Sequence, residues 1–373
     1  MTFFPLGNAD CCRIALECGK TMLVDFAALH DAGDPNDVRC DLPALLREDL
    51  KQRGCDFYDV VAFTHLDNDH IRGSTEFFRL DHAKKYQGDG RIAMNTMWVP
   101  AAMITEEAPD DEEARILQRE ARHRFKEGSR IRVFSRPDRL RGWCEKIGLK
   151  LEDRLALISD AGTLAPELTL ASDGVEFFVH SPFAVRQNEN TVEDRNEDSL
   201  LFQATFDLDG GHTRVLFLAD STCDVLDQIV DVTRLKKNDQ RLEWDIAKLP
   251  HHCSYTAIGP EKGKDKTVPT DQVHWLYEKQ GANGAIAVST SKPIPVAGSK
   301  EDDDPQPPHR QAAGFYEDAV GRLDGQFVVT MEHPSARAPE PLVIEIGGNK
   351  ATLKKTTHTA AGVATSRSAP RAG

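Results

Sequence analysis

The densest chemistry in the chain lies in Thr64-His65-Leu66-Asp67-Asn68-Asp69-His70, where two imidazoles and two carboxylates fall between positions 65 and 70. Side chains of these types are ligands for Zn, Mn or Fe. Carboxylates crowded into one loop repel one another unless a cation compensates, so a bound metal is the direct explanation of the cluster. Two further groups stand in matching contexts: Asp220 closes the apolar run VLFLAD, and His251 and His252 follow IAKLP. Asp25 closes TMLVDF, where it would orient a ligand imidazole from behind. Each of these residues alone reads as a turn former; if the strands lie side by side, all of them converge on one edge. Two metals there would share a hydroxide that is nucleophilic at neutral pH.

The elements that must position these residues are legible as patterns. FFPL, RIALEC and TMLVDF, separated by the Gly7-Asn8 and Gly19-Lys20 turns, read as strands with a hairpin between the last two. LPALLREDLKQ has helical spacing, and DVVAFTH is a short β-branched run of the kind that forms a buried strand. A helix is expected to start at Ser74 or Thr75, and RIAMNTMWV reads as a further strand. VEFFVHSPF, SLLFQATFDL and TRVLFLAD predict a second, antiparallel set, followed by IAKLP, ANGAIAVST and QFVVTM, with a helix over QAAGFYEDAVGRL before the last. Residues 101 to about 165 read as a charged helical insertion. Between Arg115 and Arg141 ten basic residues face three acidic ones, a local excess of seven positive charges in a chain of net charge −14. That stretch is either a solvated face balancing the acidic run before it or a cap that steers an anionic, phosphate-bearing substrate. One domain over residues 1–355 and a structureless tail over 356–373 are expected.

The series Asp25, HLDNDH, Asp220, His252 resembles the motif series of the metallo-β-lactamase superfamily. More narrowly it is similar to the soluble hydrolase domain of ComEC-like competence proteins, through Gly7-Asn8-Ala9-Asp10, THLDNDHIRG, Asn196-Glu197-Asp198-Ser199, FLAD and KLPHHCS. The resemblance covers most of residues 1–335 and implies an α/β (α+β) four-layer αββα sandwich with two divalent ions, Zn or Mn, at one edge. It implies that His65, Asp67 and Asp220 hold one metal and Asp69, His70 and His252 the other, with Asp220 bridging. Asp69, Asp220 and His251 are then expected at the reaction, His251 as proton donor or substrate contact, and Ser254 as a hydrogen-bond donor to substrate. Three departures accompany the match. Asp67 stands where many superfamily members have His, which adds oxygen character and shifts preference toward Mn. The superfamily's additional His has a counterpart only in His180 of FFVHSPF, which reads equally well as an ordinary strand-end histidine. Cys253 stands where related proteins usually have Gly.

Composition sets the outer limits. With 40% hydrophobic and 28% charged residues, the 373-residue chain is globular rather than disordered. The negative charge argues against indiscriminate binding of nucleic acid or anionic membrane. Eight cysteines without a CxxC pair fit reduced thiols. No stretch has the length of apolar sequence that a membrane span needs, and a cytoplasmic location is expected. GxSxG, GxxxxGK[ST] and HExxH are absent. Phosphodiester cleavage, with DNA or RNA as the anionic partner, is the expected activity. Hydrolysis of an amide, ester, lactone or peptide bond by the same metals stays open, as does a metal-binding recognition protein without turnover.

Overall fold

The computed structural model describes residues 1–107, 109, 111–189, 194–208, 210–348 and 350–354. The expected tail over 356–373 lies outside the described residues.

Sixteen strands form two mixed sheets among the described residues. The first contains β1 (Thr2–Phe3), β2 (Cys12–Ala15), β3 (Thr21–Val24), β4 (Phe57–Ala62), β5 (Ala93–Pro100), β6 (Ile131–Phe134) and β7 (Ile158–Ser159). The second contains β8 (Leu164–Ala165), β9 (Val175–Ser181), β10 (Leu201–Leu208), β11 (Gly211–Phe217), β12 (Trp244–Lys248), β13 (Gly281–Ser289) and β14 (Gln326–Val329). The chain then returns to the first sheet with β15 (Leu342–Ile346) and β16 (Ala351–Leu353), which flank β1 in the order β16-β15-β1. From β3 to β7 neighbouring strands are parallel, as are β11 to β14.

Period-two alternation sorts the side chains into layers. In β5, Met97 and Val99 face one core while Trp98 faces another, and in β11 Val215 and Phe217 point opposite to Leu216. The middle core, between the sheets, holds Trp98 edge-on to Phe134, Phe177 and Phe202. Helices cover the outer faces. On the first sheet these include α1 (Leu42–Arg53), α2 (Asn68–Ile71), α3 (Ser74–Phe77), α4 (Ala101–Thr105), α5 (Glu112–Glu127) and α6 (Asp138–Lys146). On the second they are the helices Cys223–Leu235, Asp271–Lys279 and Arg310–Gly321. The result is mixed α/β in four layers, consistent with a metallo-β-lactamase-type αββα fold.

The segment expected as a helical insertion is built differently. It does carry α4, α5 and α6, but β6 pairs in parallel with β5, and β7 with β6, so residues 131–134 and 158–159 extend the sheet. Several of its arginines are bonded to acceptors within the domain. Arg124, 2% exposed, donates to Glu120 and to the carbonyls of Met94 and Arg130. Arg122 donates to the carbonyls of Ile104 and Glu106, and Arg132 to Glu167 and Ala156. Arg130 pairs with Asp81 and Arg136 with Asp160. A buried guanidinium surrounded by acceptors has the same letter as a solvated one, which is why charge density alone suggested an excursion from the fold.

Candidate metal centre

Strand ends bring the predicted ligands together. β3, β4, β11 and β12 finish at Val24, Ala62, Phe217 and Lys248, and the chain beyond each supplies Asp25, Thr64 to His70, Asp220 and His251-His252. The loop after β4 turns into α2, which carries Asp69 and His70 one turn from Asp67. Several of these residues sit at left-handed backbone angles that L-residues rarely adopt. Asp25 has φ 58°, Ala219 42°, and His251, His252 and Cys253 follow one another at 49°, 49° and 67°. Such conformations persist where the surrounding structure over-determines them, often at functional sites. Cys253 adopts a glycine-like angle and is fully buried.

His65, His70 and His252 each have one ring nitrogen committed to the protein and the other aimed inward. His70 Nδ1 is 2.8 Å from Asp25 Oδ2, so the proton lies on Nδ1, while Nε2 faces Asp220 Oδ1 at 3.2 Å. His252 Nδ1 donates to the Thr290 carbonyl at 2.8 Å, and its Nε2 faces Asp69 Oδ2 at 3.1 Å and Asp220 Oδ2 at 3.6 Å. Thr64 Oγ1 donates to Asp25 Oδ2 and accepts from His65 Nδ1 at 3.0 Å, leaving His65 Nε2 3.7 Å from Asp67 Oδ2. Asp25 thus fixes Thr64 and His70 together, as its strand-end position suggested. Among the described atoms the buried Nε2 of His65, Nε2 of His70 and Oδ1 of Asp220 have no hydrogen-bond partner.

Those orphaned atoms are the test of whether the donor set fits a metal. A neutral imidazole with its proton on Nδ1 presents a lone pair at Nε2, and a lone pair 3.2 Å from a carboxylate oxygen repels it. Only a proton or a cation between them relieves that. Without metal the proton does so. Burial disfavours the His70 imidazolium, but Asp220, Asp25 and Asp10 outweigh it and hold its pKa well above the ordinary value. His252 is raised in the same way against burial, by Asp220 and Asp69. Burial opposes charge on Asp220 too, yet His70 and His252 keep it well below the usual carboxylate range. His65, buried beside His70, is pushed down. The donors fit a divalent cation, and Asp10, His70, Asp220 and His252 each offer a ligand atom within 4.8 Å of the others.

Asp10 and Lys248 were missed as site residues. Asp10 lies 3.6 Å from His70 Nδ1, within 4.8 Å of the ligand atoms of Asp220 and His252, and forms an ion pair with Lys248. Lys248 is 5% exposed and donates to the Ala219 carbonyl, with Asp220 Oδ1 3.9 Å away. Asp10 is therefore part of the converging donor group as well as the counter-ion of Lys248. A signal for each was present. The hairpin register Cys12↔Val24 continues to Cys11 opposite Asp25, which puts Asp10 one residue from that pair, at the same end of the hairpin. Alternation in β12 puts Lys248 on the same inter-sheet side as Ile246. A lone lysine in an apolar strand needs a buried partner.

The remaining expectations divide. His251 stands at the opening, its side chain 26% exposed and its Nε2 4.0 Å from Asp220 Oδ2, while burial lowers its pKa. His180 is not brought to the centre. Its Nε2 bonds the Arg241 carbonyl at 2.8 Å, its ring meets Phe178, and burial depresses its pKa to about 4, so the strand-end reading describes it. Ser254 is turned elsewhere as well, its hydroxyl capping the Tyr255–Ala257 turn through Thr256.

No family model matches this chain. No curated protein matches it either. A solved structure described as "Crystal Structure of a New Diphosphatase from the PhnP Family" is similar over 91% of this chain and 86% of that one, with 13% identity and a TM-score of 0.32. The geometry of the site, rather than that likeness, carries the functional reading. Among the described residues no helix is long and apolar enough to cross a membrane.

Proposed function

We propose that the chain is a metal-dependent hydrolase acting on phosphodiesters, with Asp69, His70, Asp220 and His252 holding divalent metal and His65 and Asp67 holding a second ion. The observation that carries this is the set of three buried histidines, each locked through Nδ1 and each aiming Nε2 at a carboxylate. When bound, the ions would supply the Lewis acidity that makes water nucleophilic near neutral pH and stabilises charge developing on a substrate oxygen.

The protein's own residues divide the remaining work. Asp25 and Thr290 orient imidazoles, Lys248 neutralises Asp10, and the partly exposed His251 is placed to pass a proton to a leaving group at the opening. The phosphodiester assignment rests on the ComEC-like motif series. A second reading, hydrolysis of a carbonyl substrate, is favoured by the net charge of −14 and by the arginines of residues 115–141 that are tied into the fold. Mn or Zn, a cytoplasmic setting and a nucleic-acid substrate belong to the first reading.

The test is cleavage of single-stranded DNA, double-stranded DNA and RNA by metal-stripped protein, with Mn or Zn restored and Asp220→Ala as control. Metal-dependent cleavage that falls to background in Asp220→Ala is expected. Tight metal binding without nucleic-acid cleavage would transfer the assignment to ester, lactone and peptide substrates, while full activity in both Asp220→Ala and His65→Ala would remove the site itself.

A further inference from the structure

Asp67 is the most exposed ligand in the loop, with 37% of its side chain accessible, and nothing in its own helix holds the carboxylate in place. A residue 128 positions away does. Arg195 donates from Nη1 to Asp67 Oδ1 at 2.8 Å and to the Leu66 carbonyl at 3.3 Å, which leaves Asp67 Oδ2 toward His65 Nε2. Its other edge forks onto Glu106, with Nη2 2.6 Å from Oε1 and Nε 3.1 Å from Oε2. Glu106 is anchored in turn, since its carbonyl accepts from Gln118 Nε2 at 2.9 Å and Arg122 Nη2 at 3.2 Å, both on α5.

We propose that Arg195, braced by Glu106 and through it by α5, is a positioning residue that presents one oxygen of Asp67 to the metal on the His65 side and so sets the affinity of that metal. The inference rests on the metal-binding reading above and adds a role for the basic segment, which acts as a brace for the ligand loop. Two effects of Arg195 oppose each other. Its charge beside a ligand repels a cation, but the bidentate fork on Glu106 already neutralises that charge. Orientation remains, and removing a partner that orients a ligand weakens metal affinity by about 10- to 100-fold.

The experiment is a competitive titration of full-length, metal-stripped protein with Mn and with Zn against a chelator, comparing wild type, Arg195→Ala, Arg195→Lys and Glu106→Gln, with melting curves to check folding. The expected result is a loss of about 10- to 100-fold at the weaker of two sites in Arg195→Ala, with the tighter site unchanged. A smaller loss is expected in Glu106→Gln. Arg195→Lys should fail to rescue, because an ammonium keeps the charge without the fork that reaches Asp67, Leu66 and Glu106 together. Wild-type affinities in both Arg195→Ala and Glu106→Gln, or full recovery in Arg195→Lys, would overturn the proposal. Should Arg195→Ala not fold, Glu106→Gln alone decides. Absence of metal binding by wild type would instead overturn the reading on which the proposal rests, so the two failures are told apart.

Discussion

Two of the clusters of buried charge among the described residues are built on opposite principles. Around Arg124 the charges are answered: its Nε meets Glu120, its Nη1 meets two carbonyls, its Nη2 faces Asp81 Oδ2 at 3.6 Å, and the other oxygen of Glu120 takes the His82 amide and imidazole. Around Asp220 the count fails, because Nε2 of His65, Nε2 of His70 and Oδ1 of Asp220 are buried without hydrogen-bond partners. A closed polar network specifies a fold; an open one of matched donor atoms specifies a ligand. The difference is therefore more informative than charge density, which is greater in the first cluster's segment.

The largest expected effect breaks the closed network. Glu120→Ala leaves the buried Arg124 guanidinium without its principal counter-ion and should cost about 3–5 kcal/mol of stability, measured by urea unfolding. A loss below about 1 kcal/mol would mean that the cluster is not closed in the way described. Next in size is the response of the open cluster to a cation. Mn or Zn at 100 times its dissociation constant should stabilise the folded chain by about 2.7 kcal/mol, read as a rise in Tm that a chelator reverses. A Tm insensitive to either ion would show that protons, not metals, complete the site.

How much of this was legible in the sequence follows the same division. The open cluster announced itself, because His65, Asp67, Asp69 and His70 are adjacent in sequence and Asp25, Asp220 and His252 each end a readable strand. The sandwich came from the resemblance of the motif series, since the runs themselves showed strands and helices but not how the layers stack. Partners joined only by tertiary contact were not. Arg195 lies 128 residues from Asp67 in a loop without periodicity, and Arg122 and Arg124 carry the same charge whether they meet solvent or carbonyls. β6 and β7 were lost inside a charged stretch because four and two residues are too few to show a period. His180 was left between two readings for the converse reason: a histidine at a strand end has the right address, and the bond to the Arg241 carbonyl shows that its ring is committed there.

A finer test sharpens the open cluster from behind. Asp25→Asn keeps the size and one acceptor but frees the His70 ring to rotate or change tautomer, and should weaken metal binding by about 10- to 100-fold. Because Asp25 also accepts from the Thr64 amide at 2.7 Å, circular dichroism and Tm of the metal-free variant must accompany the titration. An affinity equal to wild type would mean that Thr64 alone holds the imidazoles.

The smallest expected effect addresses the basic segment. Arg141, 49% exposed and bonded to Glu152, is among the cations of that segment that a passing anion could reach. If the segment steered substrate, Arg141→Ala would lower kcat/KM, and the loss would shrink as salt screened the field. If the segment serves as a brace, as Arg122, Glu106 and Arg195 indicate, neither kcat/KM nor its salt dependence should move, since the exposed pair between α6 and Glu152 is separate from the hydrogen bonds of that brace. Measuring kcat/KM for the cleaved substrate at low and high salt separates the two. A salt-dependent loss in Arg141→Ala would restore steering as a role of the segment alongside the brace.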